Sequence, residues 1–573
     1  MTNPLAEAVE NLAALLPGAR FPLPLEGATE LREQARTLTS QVHDYLLPRA
    51  RRLDAPLLAV VGGSTGAGKS TLVNSLLGQA ITKTGVRRPT TTAPTLICNP
   101  ADRDWFRSGS VLPHLTRADH PAEGSRSLRI IVTEALPEGL ALLDAPDIDS
   151  IDDDNRRLAR QLFAASDLWL FVTTASRYAD AVAWELLATA AARDVFISVV
   201  LNRCPPGSSE DLTTHLRELL AQRGIRPQQV FTLHELEEPP DGLLPSRQVS
   251  QIRMWLGGIA INQFERRGVA TQTLAGAVRG LDAQLLHLAD GANQQLATVA
   301  QLRQAAEAEF AVAAQEISRA TSDGTMLRGE VLSRWQDLIG TGDLMRRIEK
   351  RIVVIRDRIA SWFVGRENTE DVQIAISEGL ATLIEEQGTA ACERAAAHWS
   401  LTPWGDALVD GDGDPLSRPG IRFRVEAIRL VRAWQNDIFT LVNEEGRGKR
   451  RKARFLALGT NAVGVALIMV VFATTGGLTT AEVGIAGGSS LLAQRLLEGI
   501  FGTDAVRHLS ERARTRLKER VADLLDTQMS RFNLRLELMA VPSALPQDLT
   551  LVAEQLRSAS DEAFEALTRP EGY

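Results

Sequence analysis

Apolar runs alternate with helix-like stretches between Pro56 and His234. Short apolar runs bounded by turn residues predict buried strands, and the stretches between them predict helices, so we expect an α/β domain here. The second and third runs are separated only by residues 135–138, too few for a parallel crossover. We therefore predict that these two strands are antiparallel neighbours, in a mixed sheet with one antiparallel strand. The predicted strands are PLLAVVGG, LRIIVTE, GLALLDAP, DLWLFVTT, DVFISVVLN and QQVFTLHE.

Helical patterns dominate the rest of the chain. Residues from about 26 to 52 place apolar side chains at helical spacing, and from about 250 to 400 the chain is rich in Ala, Leu, Gln, Glu and Arg with few prolines. Such segments predict long helices packed as a bundle or stalk. The predicted domains are an N-terminal helical segment (1–55), the α/β domain (56–245), a helical bundle or stalk (246–450), a basic flank with a membrane-inserting segment (451–502) and a C-terminal helical segment (503–573).

An uncharged apolar segment occupies residues 455–478. About 24 residues make about 36 Å of helix, enough to cross the hydrocarbon core of a bilayer. The preceding basic cluster favours anionic headgroups and the cytoplasmic face. We predict a hydrophobic segment that inserts in the membrane as one span, two spans or a re-entrant hairpin; the alternative is a hairpin buried between helices. The basic cluster comprises Arg447, Lys449, Arg450, Arg451, Lys452 and Arg454.

Composition narrows the class of protein. Of the 573 residues, 44% are hydrophobic and 23% are charged, and both fractions are near the average of globular proteins. This composition argues against a wholly disordered protein and against a polytopic membrane protein. The net charge of −8 gives no overall basic surface, so no nucleic-acid partner is expected. Cys98, Cys204 and Cys392 are far apart, which argues against a disulfide framework or a zinc site. The first residues lack the pattern of a secretory signal, so we expect the bulk of the chain in the cytoplasm.

The segment GGSTGAGKST matches the phosphate-binding pattern G-x-x-x-x-G-K-[ST]. It directly follows an apolar strand and precedes a helical stretch, which is the context that this pattern requires. Its glycines allow backbone N–H groups to surround phosphate, Lys69 adds a positive charge near the outer phosphates, and the Ser70 hydroxyl can bind Mg²⁺. The predicted nucleotide-binding residues here are Gly63, Ser64, Thr65, Gly66, Ala67, Gly68, Lys69, Ser70 and Thr71.

Two further elements complete the predicted Mg²⁺ site. Asp144 ends the strand GLALLD, where a carboxylate can reach the metal, and Thr91 lies in the threonine-rich segment RRPTTTAPT, typical of a switch that closes over Mg²⁺ and the γ-phosphate. Thr92 is the second choice for this role. In the usual D-x-x-G pattern a glycine senses the γ-phosphate, but here that position is Asp147. We favour Asp147 and Asp149 as ordinary loop carboxylates; alternatively they alter how the metal or the switch is held.

Base recognition is predicted at Asn202 and Arg203, after the strand DVFISVVLN. GTPases usually carry [NT]KxD here, and the carboxylate that selects guanine is replaced by Pro205, which leaves the choice between guanine and adenine open. Ile148 stands where Ras-like proteins have the Gln that orients the attacking water. We therefore expect slow basal hydrolysis that self-association increases, with charge stabilisation from Arg87, Arg88 or another copy of the chain.

With these motifs, GGSTGAGKST, RRPTTTAPT, DAPD and NRCP, the chain resembles bacterial dynamin-like GTPases of the actinobacterial type over about its first 245 residues. The resemblance implies GTP as substrate, Mg²⁺ as cofactor, Lys69 and Thr91 as catalytic residues, and Ser70, Thr91 and Asp144 as metal ligands. It also implies self-assembly or pairing with a homologue, anionic membrane lipid as a partner, and the cytoplasmic face of the cell membrane. Dynamin-type loops often carry Gln-Ser where this chain has Thr65 and Gly66. Alternative functions are a membrane-tethered regulatory nucleotide switch and a scaffold that binds a protein partner with slow hydrolysis.

Overall fold

A computed structural model describes most of the chain as two compact units. The first unit comprises Met1–Leu296 and Val541–Tyr573, and the second comprises Ala297–Ala540. We call them the head unit and the helical unit. The described residues are 4–82, 94–109, 111–118, 127–149, 153–178, 180–192, 194–236, 242–323, 369–411, 413–446, 460–473 and 486–568.

An eight-stranded sheet forms the centre of the head unit, in the order β3-β4-β2-β5-β1-β6-β7-β8. All seven residues of the central strand β1 are buried, as expected for a parallel strand covered on both faces. The strands are β1 (Leu57–Gly63), β2 (Thr95–Cys98), β3 (Thr116–Ala118), β4 (Ser127–Val132), β5 (Leu140–Asp144), β6 (Leu168–Thr174), β7 (Phe196–Cys204) and β8 (Gln229–His234).

The pairing of β4 and β5 corrects the predicted sheet. β2 lies between them, antiparallel to β5 with Thr95 opposite Asp144, and parallel to β4 with Cys98 opposite Val132. The opposite directions of β4 and β5 were predicted correctly, but their adjacency was wrong. We predicted one strand antiparallel to the rest, but three strands, β2, β3 and β4, run antiparallel to the other five. The β4–β5 connection can pass over one strand because neighbouring strands are only about 4.8 Å apart.

Helices cover both faces of the sheet, and alternate side chains of β1 enter two different cores. Leu58 and Val60 join the core that includes the N-terminal and C-terminal helices, whereas Ala59 and Val61 join the core beneath α4, α9 and α10. The helices of this unit are α1 (Pro4–Leu15), α2 (Ala28–Gln41), α3 (Leu47–Arg51), α4 (Lys69–Leu77), α5 (Arg103–Arg107), α6 (Asp153–Ala164), α7 (Ala181–Ala192), α8 (Ser209–Gln222), α9 (Ser246–Ile261), α10 (Gln263–Arg279) and α18 (Leu545–Thr568). Short 3-10 turns lie at Leu16–Gly18 and Pro100–Asp102, and a π turn lies at Val42–Leu46.

The helical unit is all-α in the part that the structure describes. The boundary between the two units falls within α11 (Asp282–Ala320), after Leu296. Trp399 and Phe532 pack edge to face with ring centroids 5.1 Å apart, as aromatic pairs in a core usually do. The remaining helices are α12 (Thr369–Ser400), α13 (Gly405–Asp410), α14 (Phe423–Glu445), α15 (Thr460–Ala473), α16 (Ala486–Phe501) and α17 (Thr503–Leu538).

The predicted transmembrane helix is not supported. Among the residues that the structure describes, no helix is both long and apolar enough to span a bilayer. Of the predicted segment, residues 460–473 form α15, which is buried within the helical unit: Phe472 packs on Trp434, and Arg514 donates two hydrogen bonds to the Val471 carbonyl, 2.8 and 3.1 Å long. The described part of the segment is therefore a helix packed in the core of the helical unit. The rest of it and the preceding basic cluster lie outside the described residues.

Candidate functional site

The phosphate-binding pattern forms a tight loop between β1 and α4, which we call the phosphate loop (residues 63–70). Backbone sterics require two of its glycines. A Cβ on Gly63 would lie 1.9 Å from the Val172 carbonyl oxygen of β6, and Gly68 has a φ of +91° with Asn202 Nδ2 2.5 Å from the position of a Cβ. Gly63 therefore lets the loop pass close to β6, and Gly68 adopts the left-handed conformation that precedes the first turn of α4.

Lys69 is folded back over the loop. Its side chain is 6% exposed, and its ε-amine donates to the carbonyls of Gly63 (2.9 Å) and Ser64 (3.1 Å). The same amine forms an ion pair with the Asp147 carboxylate. Lys69 therefore places a desolvated positive charge at the mouth of the phosphate loop, where the attraction for an anion is much stronger than in water.

Ser70 and Asp144 meet at the start of α4. The Ser70 hydroxyl donates to Asp144 Oδ2 at 2.7 Å, although the two residues are 74 positions apart in the chain. Asp144 is fully buried, and its Oδ1 has no hydrogen-bond partner among the described residues. Burial raises the pKa of Asp144 to about 6, despite the hydrogen bond from Ser70 and the charge of Lys69.

The Ser70–Asp144 pair fits a magnesium ion. Mg²⁺ takes oxygen ligands and is usually held by one or two carboxylates together with substrate phosphates. The unpartnered oxygen of Asp144 and the adjacent hydroxyl supply such oxygens beside the phosphate loop. A bound cation would also offset the cost of burying this carboxylate, which the raised pKa of Asp144 expresses.

The turn after β5 also contacts the phosphate loop. Asp149 Oδ1 accepts hydrogen bonds from the Thr65 backbone N–H and hydroxyl, each 2.6 Å long. Asp147 pairs with Lys69, and Ile148 between the two acids is buried. Both acids therefore contact the phosphate loop itself, which neither interpretation from the sequence predicted. Sequence reasoning missed Arg177, which donates to the Thr65 carbonyl at 3.3 Å, because no motif includes it.

Asn202 joins the end of β7 to the phosphate loop. Its side-chain amide donates to the Ala67 carbonyl at 2.8 Å, and its Oδ1 accepts from the Arg203 backbone N–H at 2.9 Å. Arg203 is exposed with a φ of +54°, and Pro205 beside it is exposed as well. The structure thus brings Asn202 to the phosphate loop, and leaves Arg203 at the surface next to it.

The remaining predicted site residues divide into two groups. Thr71 lies in the first turn of α4, and Ser64 is buried with a hydroxyl that has no described hydrogen-bond partner. Thr91, the predicted switch residue, lies outside the described residues, together with Thr92, Arg87 and Arg88.

Comparisons with known proteins give one curated relative. No protein-family model matches the chain. A probable transmembrane FZO-like GTPase of the chloroplast, from Arabidopsis thaliana, is 28% identical over 153 residues. The match covers 27% of this chain and 16% of that protein, so the similarity concerns a small part of its length. The similarity is to a GTPase. It agrees with the GTPase part of the resemblance that the sequence indicates.

Solved structures of low similarity include a bacterial dynamin pair and a plant protein with a bound nucleotide analogue. An oligomerised bacterial dynamin pair, described as a mechanism for long-range sensing and tethering of membranes, has a TM-score of 0.38 at 10% identity, over 97% of this chain and 95% of that chain. Toc33 from Arabidopsis thaliana, solved with Mg²⁺ and GMPPNP, has a TM-score of 0.23 at 14% identity, over 45% of this chain and 96% of that chain.

Proposed function

We propose that the protein is a dynamin-like GTPase that binds and hydrolyses GTP with Mg²⁺. One observation supports this most: the Lys69 amine and the Ser70–Asp144 pair lie together at the N-terminus of α4, on a loop where Gly63 and Gly68 have no room for a side chain. The first N–H groups of a helix lack acceptors within the helix and attract phosphate. A positive charge, free amides and a metal-binding oxygen pair in one place fit a nucleoside triphosphate with Mg²⁺.

Each site residue has a distinct role in this proposal. The phosphate loop and Thr71 bind the inner phosphates through backbone N–H groups, while the Lys69 amine neutralises charge on the outer ones. Ser70, Asp144 and Thr91 hold Mg²⁺, which supplies positive charge to the phosphates when bound. Lys69 and Thr91 act in catalysis by stabilising charge and closing the site. Asn202 and Arg203 support the base, and Asn202 also holds the phosphate loop through Ala67.

A membrane function completes the proposal. We infer that the chain self-assembles, or pairs with a homologue, and remodels or tethers membrane at the cytoplasmic face, with anionic lipid as its partner. The family resemblance supports this part. We further propose that residues 56–245 form the nucleotide-binding domain, with helical segments at 1–55, 246–450 and 503–573. Within residues 451–502, we propose that the basic flank, rather than the buried helix α15, contacts lipid.

A competition experiment tests the nucleotide. We expect unlabelled GTP to displace a fluorescent GTP analogue from the full-length protein at lower concentrations than ATP does, measured in the presence of Mg²⁺. Phosphate release should be slow in solution and rise at least several-fold with anionic liposomes, because assembly supplies groups that the isolated site lacks. Liposomes of neutral phosphatidylcholine are the matched control. Equal displacement by ATP would contradict guanine selection, and turnover that lipid does not change would contradict membrane-driven assembly.

The buried position of Ile148 favours a second candidate, a regulatory nucleotide switch. An apolar side chain held in the core cannot orient an attacking water as Gln does in Ras-like proteins. Such a protein would bind GTP tightly, hydrolyse it slowly and act by binding a protein partner, as a membrane-tethered switch or scaffold. Nucleotide-dependent deformation of liposomes by the purified protein would decide against this candidate.

The raised pKa of Asp144 predicts a pH dependence of Mg²⁺-dependent binding. Without ligand the carboxyl is mostly protonated below a pH of about 6, and a protonated carboxyl is a poor metal ligand. Lowering the pH from 7.5 to 5.0 should therefore weaken Mg²⁺-dependent GTP binding by roughly 10-fold, measured by calorimetry. Nucleotide phosphates also titrate in this range, so Asp144→Asn is the control: it should bind weakly and lose most of the pH dependence. A variant with the wild-type pH profile would show that another group titrates.

A further inference from the structure

We propose that Asp147 and Asp149 occupy the position of the terminal phosphate of a nucleotide, so that a triphosphate must displace them and a diphosphate need not. This inference rests on the proposed function, because it concerns nucleotide bound at the same loop. The carboxylate of Asp147 pairs with the Lys69 amine, and that of Asp149 accepts from both the N–H and the hydroxyl of Thr65. All three donors suit a phosphate oxygen equally well.

The contacts identify the terminal phosphate rather than the inner ones. The first N–H groups of α4 have no acceptor within the helix, and the described hydrogen bonds of Asp147 and Asp149 do not involve them. In a loop of this type, those amides cradle the α- and β-phosphates, whereas the lysine reaches the β- and γ-phosphates. The two carboxylates therefore leave the inner phosphate positions open and take the outer one.

The turn holds both carboxylates in place. Their side chains are 22% and 19% exposed, and Arg177 lies 3.8 Å from Asp149 while donating to the Thr65 carbonyl. Ile148 between them is 7% exposed and belongs to the apolar core that includes Phe163 of α6. Replacing a partly buried, charge-assisted hydrogen bond is costly, so each carboxylate should lower the affinity for a triphosphate by about 10-fold.

Binding measurements on two variants test this competition. Asp147→Asn removes the carboxylate charge that pairs with the Lys69 amine, and Asp149→Ala frees the Thr65 donors. Glu218→Gln, on the exposed face of α8, is a control for the loss of one carboxylate. The probes are a non-hydrolysable GTP analogue and GDP, each with Mg²⁺, measured by calorimetry on the full-length protein. We expect Asp147→Asn and Asp149→Ala each to bind the GTP analogue about 10-fold more tightly than wild type does. Both should bind GDP with an affinity within about 3-fold of wild type. The control Glu218→Gln should bind both nucleotides as wild type does.

The outcomes separate this inference from the proposed function. If the wild type binds the GTP analogue and neither Asp147→Asn nor Asp149→Ala binds it more tightly, the competition is refuted while the proposed function stands. A gain of equal size for GDP would place the carboxylates at the inner phosphates and also refute it. If no nucleotide binds to the wild type, to either aspartate variant or to the control, the proposed function itself fails.

Discussion

Replacing Lys69 with methionine should weaken GTP binding about 100-fold. The ε-amine is nearly buried, so its charge acts on the phosphates with little screening by water once they displace Asp147. Hydrogen bonds to charged groups contribute about 1.5–3 kcal/mol each, and about 1.4 kcal/mol corresponds to a factor of 10 in affinity. Methionine keeps most of the length of the side chain but carries no charge. The measurement is the dissociation constant for a GTP analogue with Mg²⁺.

Lys518→Met is the matched control for the loss of one lysine. Lys518 lies on an exposed face of α17, in the helical unit. Its replacement should leave the dissociation constant for the GTP analogue unchanged. If Lys69→Met retained affinity within about 3-fold of wild type while its melting temperature stayed the same, the phosphate loop would not be the nucleotide site.

Replacing Arg49 with alanine should lower the free energy of unfolding of the head unit by about 3–5 kcal/mol. Arg49 of α3 pairs with Asp167 at the start of β6, and the two side chains are 4% and 0% exposed. Arg49 also donates to the carbonyls of Ala55 (2.9 Å) and Pro56 (3.0 Å), and Leu58 N–H donates to Asp167 at 2.8 Å. Removing the arginine leaves a buried carboxylate without its counter-charge, which is strongly destabilising.

An exposed arginine on the same short helix provides the comparison. Arg51 pairs with Glu10, but their side chains are 58% and 48% exposed, and solvent-exposed ion pairs contribute less than about 1 kcal/mol. Arg51→Ala should therefore leave the unfolding transition almost unchanged. Urea unfolding monitored by circular dichroism measures both variants. Equal losses in the two would mean that burial of the Arg49–Asp167 pair is not what stabilises the junction of α3 with the sheet.

The sheet shows which strands the hydrophobic pattern of the sequence can predict and which features of the sheet it cannot. Long apolar runs such as those of β1 and β6 predicted strands, and the structure confirms both, with every residue buried. The four residues of β2 carry too little pattern to show where this strand lies in the sheet. Its insertion between β4 and β5 decides the strand order, and three strands rather than one are reversed as a result.

The apolar segment around α15 shows that hydropathy alone does not identify the environment of a segment. Hydropathy reports that a segment avoids water, but lipid and a protein core satisfy this requirement equally well. The described residues 460–473 form a 14-residue helix whose Val465 and Phe472 are buried among other helices. Only the packing of neighbouring helices distinguished these two environments.

The sequence alone determined the phosphate loop, its position between β1 and α4, and the choice of Asp144, because these depend on local spacing and on glycines at positions where other residues do not fit. The tertiary structure decided which distant side chains meet there. Asp147 reaches Lys69 across 78 residues of chain and Asp149 reaches Thr65 across 84. Such contacts follow from the order of the strands, which local patterns do not encode, and they place carboxylates on the donors that would bind phosphate.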